Sequence, residues 1–355
     1  MQIRVAVICD YKLLPDRIGG MDHFFWAFNV KCKENNIEVD WFLPNKSEFS
    51  DYKTLNILAP NNNSSLTDFV VKTIKERNYT YTHIITHFVE LCTSFFRDVK
   101  MHTKGKVFAV DHNPRPLGGY SIKKKLKKRI KAALYSKYID VFVGVSEYTV
   151  NELIKDFGNF IRGKTKVLYN GVTIDDIQIN SNRKLIHPTF IVASHLRESK
   201  GVQDLIDAVY KLRLKGISID VFGSGPYETE LHSKVKKYNL EEEFKFNGSV
   251  SNLNELYKNY DYMILPSHME CFSLAILESL AANVPVIASN VGGNEEAITH
   301  NKNGFIFEAK NIDNLSEIIK DVYLGDSKIT SDTRKEIEEK YALTTMVNQY
   351  FELLL

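Results

Sequence analysis

Residues 265–296 have the sequence LPSHMECFSLAILESLAANVPVIASNVGGNEE, which alternates between strand-like, loop-like and helix-like composition. An apolar run ends at Leu265, a short polar loop follows, and an apolar segment then predicts a helix. The β-branched run that begins at Pro285 predicts another strand, and Gly292-Gly293 predicts a loop. This order is typical of the right-handed crossover between parallel strands. It therefore predicts an α/β fold with a parallel sheet.

The same alternation of strand-like and helix-like segments extends over the rest of the chain. It forms two series, one in each half. Residues 3–8 form a β-branched apolar run, which predicts a buried parallel strand. Residues 189–193 form a similar run, and a loop and an amphipathic segment follow it in the same way. Further strands are predicted at residues 38–43, 83–86, 107–110, 141–145, 217–222, 244–246, 262–265 and 285–288. Two series of this length predict two α/β domains.

A polar segment without helical or strand periodicity, residues 173–188, lies between the two series and is the best linker. A chain of 355 residues also suggests two domains from its length alone. We therefore expect an N-terminal domain over residues 1–175 and a C-terminal domain over residues 176–335. A closing helix over residues 336–355 is expected to return toward the N-terminal domain.

The overall composition is that of a water-soluble globular protein. Hydrophobic residues make up 44% of the chain and charged residues 25%, which excludes disordered, collagen-like and coiled-coil proteins. No run approaches the roughly 18 apolar residues of a membrane-spanning helix, and the N-terminus lacks a signal-peptide pattern. The four cysteines are scattered without a C-x-x-C pair, so we expect a reducing, cytoplasmic compartment.

The net charge of +2 hides two halves of opposite sign. The N-terminal 180 residues carry 27 Lys and Arg against 19 Asp and Glu, and the remainder carries 19 against 25. Much of the excess lies in KKKLKKRIKAALYSK, residues 123–137, where Leu126, Ile130 and Leu134 recur at helical spacing. This helix either docks on the core with a solvated basic face or attracts an anionic membrane surface through residues 123–131. Nucleic acid is not expected, because no aromatic platform accompanies the basic run.

The loop and the helix start within the opening stretch carry candidate site residues. Phe272, Ser273 and Leu274 open the predicted helix, so free backbone N–H groups there can bind a phosphate. Glu270 lies in the loop, and Glu278 follows inside the helix with seven residues between them. At that depth Glu278 would reach a ribose hydroxyl. Each glutamate alone is also compatible with a solvated surface carboxylate.

Glu270 and Glu278 match the E-x7-E pattern of retaining glycosyltransferases with the GT-B fold, and the surrounding sequence resembles glycosyltransferase family 4 (group 1). Supporting matches run in the family's order along nearly the whole chain. They are Gly19-Gly20, Asp111-His112, Asn170-Gly171-Val172, Lys200-Gly201, Gly223-Ser224-Gly225-Pro226, Gly248, Pro285-Val286 and Gly292-Gly293 with Glu296. Each match is weak alone, and their common order and spacing carry the resemblance. It implies two Rossmann-like parallel-sheet domains that face each other across a cleft.

The resemblance also implies that the C-terminal domain binds a nucleotide-sugar donor. Glu270 would hydrogen-bond hydroxyls of the donor sugar, and Glu278 those of the ribose. Lys200, with Arg197 beside it, would stabilise the charge on the departing diphosphate. The other implied donor-binding positions are Gly223, Gly248, Phe272, Ser273 and Leu274.

Three positions depart from the family's pattern. The arginine that is usual five residues before the lysine is His195 here, so Arg197 would have to supply the guanidinium from two residues away. Cys271 and Asn283 stand where glycines are usual. Cys271 either narrows the sugar pocket or is simply a tolerated small side chain.

In the N-terminal domain, the resemblance implies that Gly19 and Gly20 let the backbone approach the donor closely, because glycine lacks a Cβ. A flexible loop is the alternative for this pair. His112 resembles the family's donor-contacting histidine, and a structural histidine is its alternative. His87, after another predicted strand, is a weaker candidate for contact with donor or acceptor.

The resemblance implies retaining transfer of a hexose-type sugar from a nucleotide diphosphate sugar, with UDP favoured, to a hydroxyl of a glycan or lipid-linked acceptor. Bacterial surface polysaccharide synthesis, of lipopolysaccharide or capsule, is the expected context. Two alternatives remain open: a nucleotide-sugar epimerase with the GT-B fold, and a non-catalytic sugar-nucleotide-binding protein.

No obligate metal ion and no cofactor are expected, because the sequence has no DxD triplet and no clustered Cys and His ligands. The chain also lacks a complete dinucleotide fingerprint, a P-loop and a G-x-S-x-G motif, which argues against an oxidoreductase, a P-loop NTPase and an esterase. We expect a cytoplasmic protein, peripheral on the inner face of the cytoplasmic membrane if the basic segment binds lipid.

Overall fold

The computed structural model describes residues 2–14, 18–61, 64–77 and 80–355. Within them the chain forms two compact units. Unit 1 comprises Met1–Asn113, Gly118–Asn170 and Leu343–Leu355, and unit 2 comprises Pro114–Leu117 and Gly171–Ala342. The domain limits at residues 175 and 335 stay predictions from the sequence, beside these units.

Unit 1 is built on a seven-stranded sheet in which all neighbouring strands are parallel. Its strands are β1 (Arg4–Cys9), β2 (Glu38–Phe42), β3 (Asn56–Leu58), β4 (His83–His87), β5 (Lys106–Asp111), β6 (Val141–Gly144) and β7 (Thr165–Val167). Their order in the sheet is β3-β2-β1-β4-β5-β6-β7. The central strands are apolar and almost fully buried, as expected where helices cover both faces of a parallel sheet.

Serine hydroxyls cap some of the crossover helices of unit 1. The helices are α1 (Gly20–Glu34), α2 (Leu66–Glu76), α3 (Ser94–His102), α4 (Ile122–Tyr135) and α5 (Glu147–Phe157). The hydroxyl of Ser65 accepts from the N–H of Asp68 at 3.1 Å, which caps α2. The hydroxyl of Ser146 does the same for α5. Such caps satisfy N–H groups that have no partner within the helix.

Unit 2 repeats this design on a six-stranded parallel sheet. Its strands are β8 (Thr189–Ala193), β9 (Ser218–Phe222), β10 (Phe244–Gly248), β11 (Tyr262–Leu265), β12 (Val286–Ser289) and β13 (Gly304–Phe307). They lie in the order β10-β9-β8-β11-β12-β13. The predicted α/β fold with two parallel sheets is therefore confirmed.

The helices of unit 2 are α6 (Val202–Leu212), α7 (Glu228–Tyr238), α8 (Leu253–Leu256), α9 (Leu274–Ala281), α10 (Asn294–Ala297), α11 (Ile312–Leu324) and α12 (Arg334–Lys340). α6 shows the ordinary arrangement, because its apolar residues Leu205, Ile206 and Val209 are buried against the sheet. Among the described residues, no helix is both long and apolar enough to cross a membrane.

The single closing helix predicted over residues 336–355 is two helices in the structure. α12 ends at Lys340 in unit 2, and α13 (Leu343–Glu352) belongs to unit 1. The break is stabilised by the carbonyl of Tyr341, which accepts from the N–H of Val172 at 3.0 Å instead of continuing a helix. Within unit 1, the ring of Tyr350 on α13 lies 4.8 Å from that of Phe24 on α1.

Candidate active site

The strand order of unit 2 reverses at the neighbouring strands β8 and β11. In open parallel sheets, ligands bind beyond the carboxyl ends of the strands at such a reversal. Two loops meet there, residues 194–201 after β8 and residues 266–273 after β11. The N–H of His268 donates to the carbonyl of Ser199 at 2.8 Å, so the backbone of one loop holds the other.

Gly201 accounts for the close approach of these two loops. Its φ is +69°, and a Cβ at this position would lie 1.8 Å from the carbonyl oxygen of Pro266. Only glycine combines this conformation with this spacing at no steric cost. The residue therefore fixes the neighbouring Lys200 against the loop that follows β11.

This approach brings Lys200 to Glu270. Nζ of Lys200 donates to Oε1 of Glu270 at 2.6 Å, and the hydroxyl of Ser267 donates to the same oxygen at 2.7 Å. Glu270 is only 9% exposed. Two donors thus hold one carboxylate oxygen in a largely buried place, where charge-assisted hydrogen bonds are strong.

A glycine loop fixes the other side of Glu270. Gly292 has a φ of +62°, and a Cβ there would lie 2.3 Å from the carbonyl oxygen of Glu270. The N–H of Gly293 donates to the carbonyl of Cys271 at 2.7 Å. The loop after β12 therefore packs directly on the backbone that carries Glu270.

Helix α9 begins at Leu274, directly after this loop, with Ser273 as its N-cap residue. The Ser273 side chain makes no capping hydrogen bond, and the first turn contains no acidic residue. The positive end of the helix dipole is therefore not neutralised by its own side chains. Phe272 is buried, with its ring 5.3 Å from that of Tyr341. The start of α9 can accept an anion beside Lys200 and Glu270.

Glu278 lies in the second turn of α9 and is paired with a tyrosine instead of a cation. The hydroxyl of Tyr257 donates to its Oε2 at 3.2 Å. Burial raises the pKa of Glu278 to about 7, and the hydrogen bond from Tyr257 opposes this rise. The two glutamates of the E-x7-E pattern thus differ in state, because Glu270 is ion-paired and Glu278 titrates near neutral pH.

Gly223 and Gly248 lie together at the same edge of the sheet. Gly223 follows β9, Gly248 ends β10, and the N–H of Gly223 donates to the carbonyl of Gly248 at 2.8 Å. Arg197 is exposed in the loop after β8 and takes no part in the contact between Lys200 and Glu270. Gly223 and Gly248 thus lie at the carboxyl ends of neighbouring strands, and Arg197 does not contact the ion pair of Lys200 and Glu270.

Sequence reasoning missed three side chains of this region. Ser267 and His268 directly follow the end of β11, and Nε2 of His268 lies 2.7 Å from Oδ2 of Asp204 on α6. Their place at the carboxyl end of a predicted parallel strand was the available signal. Tyr257 lies outside any motif, and no pattern in the sequence marks it.

In unit 1, the strand order reverses at β1 and β4, and Gly19-Gly20 lies at the start of α1. The N–H of Gly19 donates to Oδ2 of the buried Asp22 at 2.8 Å. The hydroxyl of Tyr11 donates to the same oxygen at 2.9 Å. The glycine pair is thus part of a hydrogen-bonded helix start centred on a buried carboxylate.

His112 follows β5 and meets His87, the last residue of β4. Nδ1 of His87 and Nε2 of His112 are 2.9 Å apart, and the ring of Phe88 stacks on His112 with centroids 4.4 Å apart. Burial lowers the pKa of His112 to about 4, against the effect of Asp111. Burial, and then His112, hold the pKa of His87 well below its ordinary value. Both rings are therefore neutral near pH 7, and one donates to the other.

A cavity of about 360 Å³ opens in unit 1 where α2 and α3 begin. Its wall includes four carboxylates and two apolar side chains, which are those of Asp10, Asp68, Glu90, Asp98, Val71 and Phe95. Among the described residues, no three His, Cys, Asp or Glu side chains are grouped as metal ligands. Carboxylates and an aromatic ring suit a polyhydroxylated ligand, which combines hydroxyl donors with apolar ring faces.

The family model for glycosyl transferases group 1 matches residues 174–341, which lie within unit 2 and contain Lys200, Glu270 and Glu278. An uncharacterized glycosyltransferase of Methanocaldococcus jannaschii, MJ1607, is 28% identical over 60% of this chain and 60% of its own length. N-acetyl-alpha-D-glucosaminyl L-malate synthase of Bacillus anthracis is 30% identical over 48% of this chain and 44% of its own. This chain therefore spans less than two thirds of the length of either relative.

The solved structure of Anabaena Alr3699/HepE in complex with UDP and glucose is similar over 99% of both chains. Its TM-score is 0.77 and its sequence identity is 19%, so the likeness is one of fold. The two parallel-sheet units of this chain have the GT-B fold, and its residues 174–341 match the family model for group 1 glycosyl transferases.

Proposed function

We propose that the protein transfers a sugar from a nucleotide diphosphate sugar to an acceptor hydroxyl. The observation that carries this proposal is the cluster of Lys200, Glu270 and Ser267 beside the uncapped start of α9. A cation and a helix N-terminus together suit a diphosphate, and a fixed carboxylate suits sugar hydroxyls. UDP is the proposed nucleotide, supported by HepE, a protein of the same fold whose structure holds UDP and glucose.

In this proposal Lys200 stabilises the negative charge that builds on the departing diphosphate. Such preorganised electrostatic stabilisation is often the largest single contribution to catalysis. In the free protein Lys200 is neutralised by Glu270, so a bound diphosphate would share the ammonium group with that carboxylate. Glu270 would then accept hydrogen bonds from the donor sugar and hold it against the reacting centre.

The proposed reaction retains the configuration at the anomeric carbon, as the resemblance to family 4 implies. The acceptor oxygen bonds to the anomeric carbon on the face that the diphosphate leaves. The departing phosphate oxygen takes the acceptor proton, so no protein nucleophile is needed. His112 is proposed to hydrogen-bond the sugar as a neutral imidazole, and Gly19-Gly20 to allow close backbone approach.

We propose that the acceptor is a glycan or lipid-linked saccharide, used at the cytoplasmic face of the membrane in surface polysaccharide synthesis. The cavity in unit 1 supports a saccharide, because carboxylates and hydroxyls line a space of about 360 Å³. Filling it tests this assignment. Val71→Phe should raise the KM for the acceptor at least tenfold and leave UDP binding intact, whereas Val30→Phe, on an exposed part of α1, should change neither. An unchanged KM in Val71→Phe would remove the cavity from acceptor binding.

The first experiment is thermal stability against UDP, GDP, ADP and CMP, with and without EDTA. A ligand that binds the folded state raises the Tm by mass action, and we expect UDP to do so selectively and independently of EDTA. Lys200→Met should abolish the shift. Lys211→Met, which removes an exposed lysine paired with Asp313, should keep it. A wild-type protein without any shift would contradict nucleotide binding.

Turnover separates transfer from the two alternatives. Transfer releases UDP only when an acceptor is present and consumes that acceptor. An epimerase would act on the nucleotide sugar without any acceptor, and a non-catalytic binding protein would show the UDP shift without release. Either of these results would replace the proposed transfer.

A further inference from the structure

Helix α4 turns its apolar residues outward. Ile122, Leu126, Ile130 and Leu134 recur every four residues, and they are 87%, 59%, 54% and 56% exposed. At a rise of 1.5 Å per residue, the four side chains form a stripe about 18 Å long on one side of the helix. We call these four residues the apolar stripe. The sequence-based alternative in which this helix docks on the core through Leu126, Ile130 and Leu134 is therefore wrong.

The opposite side of α4 is attached to unit 1 through basic side chains. Nζ of Lys128 lies 3.0 Å from Oδ2 of Asp156, a carboxylate that is almost fully buried. Nζ of Lys131 lies 2.5 Å from Oε1 of Glu90, and Ala132 is fully buried in the apolar core of unit 1. These contacts fix the rotation of α4 about its own axis. They therefore hold the apolar stripe on the side that faces away from unit 1.

Exposed basic residues accompany the apolar stripe. Lys123, Lys127 and Arg129 are exposed on α4, and Lys124 packs its ammonium group 3.8 Å from the ring centre of Tyr120. The helix contains no acidic residue. A surface that is apolar along its centre and positive around it fits a partner that is apolar within and negative at its surface. An anionic lipid bilayer has this chemistry, and stable attachment of this kind needs both signals.

We propose that α4 lies in the headgroup region of an anionic membrane, with the apolar stripe inserted and Lys123, Lys127 and Arg129 on lipid phosphates. This surface is remote in sequence from Lys200 and Glu270, and the inference does not rest on the proposed transfer. The proposal differs from attraction of the membrane by the basic run alone. Lys128 and Lys131 form ion pairs within unit 1, so the apolar stripe has to contribute to binding. It requires that part of the binding survives high salt, since screening weakens charge attraction and leaves apolar insertion.

The test is sedimentation of the full chain with vesicles of phosphatidylglycerol and phosphatidylcholine, or of phosphatidylcholine alone. We expect binding to the anionic vesicles, with a fraction that remains at about 0.5 M salt. Leu126→Gln/Ile130→Gln should weaken binding at least tenfold and remove the salt-resistant fraction. Lys123→Gln/Lys127→Gln/Arg129→Gln should weaken binding at low salt and leave a comparable fraction at high salt.

Matched control variants show whether an effect is specific to α4. Val30→Gln/Ile186→Gln removes two exposed apolar residues elsewhere, and Lys236→Gln/Lys320→Gln removes two exposed charges elsewhere, so both should bind like the wild type. An unchanged Tm shows that each variant is folded. No binding, or equal binding by Leu126→Gln/Ile130→Gln, would overturn the proposal. So would a wild-type dimer in sedimentation velocity that this variant abolishes, because the apolar stripe would then bind a second copy.

Discussion

The two units place different chemistry at the carboxyl ends of their strands. Where the strand order of unit 2 reverses, Lys200 and Glu270 form an ion pair that Ser267 supports. In unit 1, the ends of β4 and of its neighbour β5 carry two neutral imidazoles, His87 and His112, which share one hydrogen bond. Both sheets are parallel and have helices as crossovers, so the difference between the two edges lies in the side chains at the strand ends. An ion pair of a lysine and a glutamate thus lies at the edge that is proposed to hold a diphosphate.

The two edges also respond to pH in opposite directions. The pKa of Glu278 is raised to about 7, so the stability that its neutral form contributes is complete below the ordinary carboxyl pKa and is lost as pH rises through about 7. The pKa of His112 is lowered to about 4, so its contribution is complete above the ordinary histidine pKa and is lost as pH falls toward 4. The folded state is therefore favoured at lower pH by Glu278 and at higher pH by His112.

Removing the charge at the edge of unit 2 should have the largest effect. Glu270→Gln keeps the shape and loses the ion pair with Lys200, so we expect kcat to fall roughly 100- to 1000-fold. Ser267→Ala, which removes the second donor, should lower kcat about tenfold. Initial rates of UDP release with saturating acceptor measure both. Asp313→Asn breaks an exposed ion pair of the same unit and should retain full activity. Full turnover by a folded Glu270→Gln protein would exclude this carboxylate from the mechanism.

The neutral edge of unit 1 should matter less and act through its geometry. His112→Ala removes the proposed sugar contact, and we expect kcat/KM to fall roughly ten- to a hundredfold. His87→Leu should cause a smaller loss, because His87 only positions the ring of His112 through the 2.9 Å contact. Both variants should keep the thermal shift with UDP, which depends on unit 2. If His87→Leu were as damaging as His112→Ala, His87 would have a direct role.

The carboxyl group of Glu278 provides a pH-dependent test. Ribose hydroxyls that donate to the carboxylate would lower its pKa on binding, so affinity should rise with pH, by up to about tenfold per unit around neutrality. UDP-glucose is the suitable ligand, because its diphosphate has no ionisation in this range. Isothermal titration between about pH 6 and pH 8 measures the slope. Glu278→Gln should bind with no such slope. A slope that persists in this variant would assign it to another group.

Much of the sheet architecture could be predicted from the sequence, because strands that are buried on both faces of a parallel sheet form continuous apolar runs. Thr189–Ala193 and Tyr262–Leu265 were predicted with the limits that the structure has. The closing helix was not, because its division depends on a hydrogen bond from Val172, which is far away in sequence. The exposure of the apolar stripe on α4 could not be predicted from the sequence either. Its helical spacing is the same whether Leu126 packs inward or outward, and the ion pairs to Asp156 and Glu90 decide between them.

The candidate site was accessible in part for a related reason. Motif spacing identified Lys200 and Glu270 separately, and their contact depends on the crossing at Gly201. Tyr257 was not identified, since its only link to the site is spatial. It reaches Glu278 from the segment before β11, and no spacing rule connects the two residues.

Tyr257 gives the finest test of the contrast between the two edges. The hydrogen bond from its hydroxyl lowers the pKa of Glu278 against the effect of burial. Tyr257→Phe removes this bond, so the midpoint of the pH dependence of UDP-glucose binding should rise by a few tenths of a unit. Tyr260→Phe is the matched control, because it removes a hydroxyl that donates to Asp220 at 2.6 Å in the same unit. The midpoint should stay in place there. A downward movement in Tyr257→Phe would instead show that Tyr257 stabilises the neutral acid, against the hydrogen bond assigned to it here.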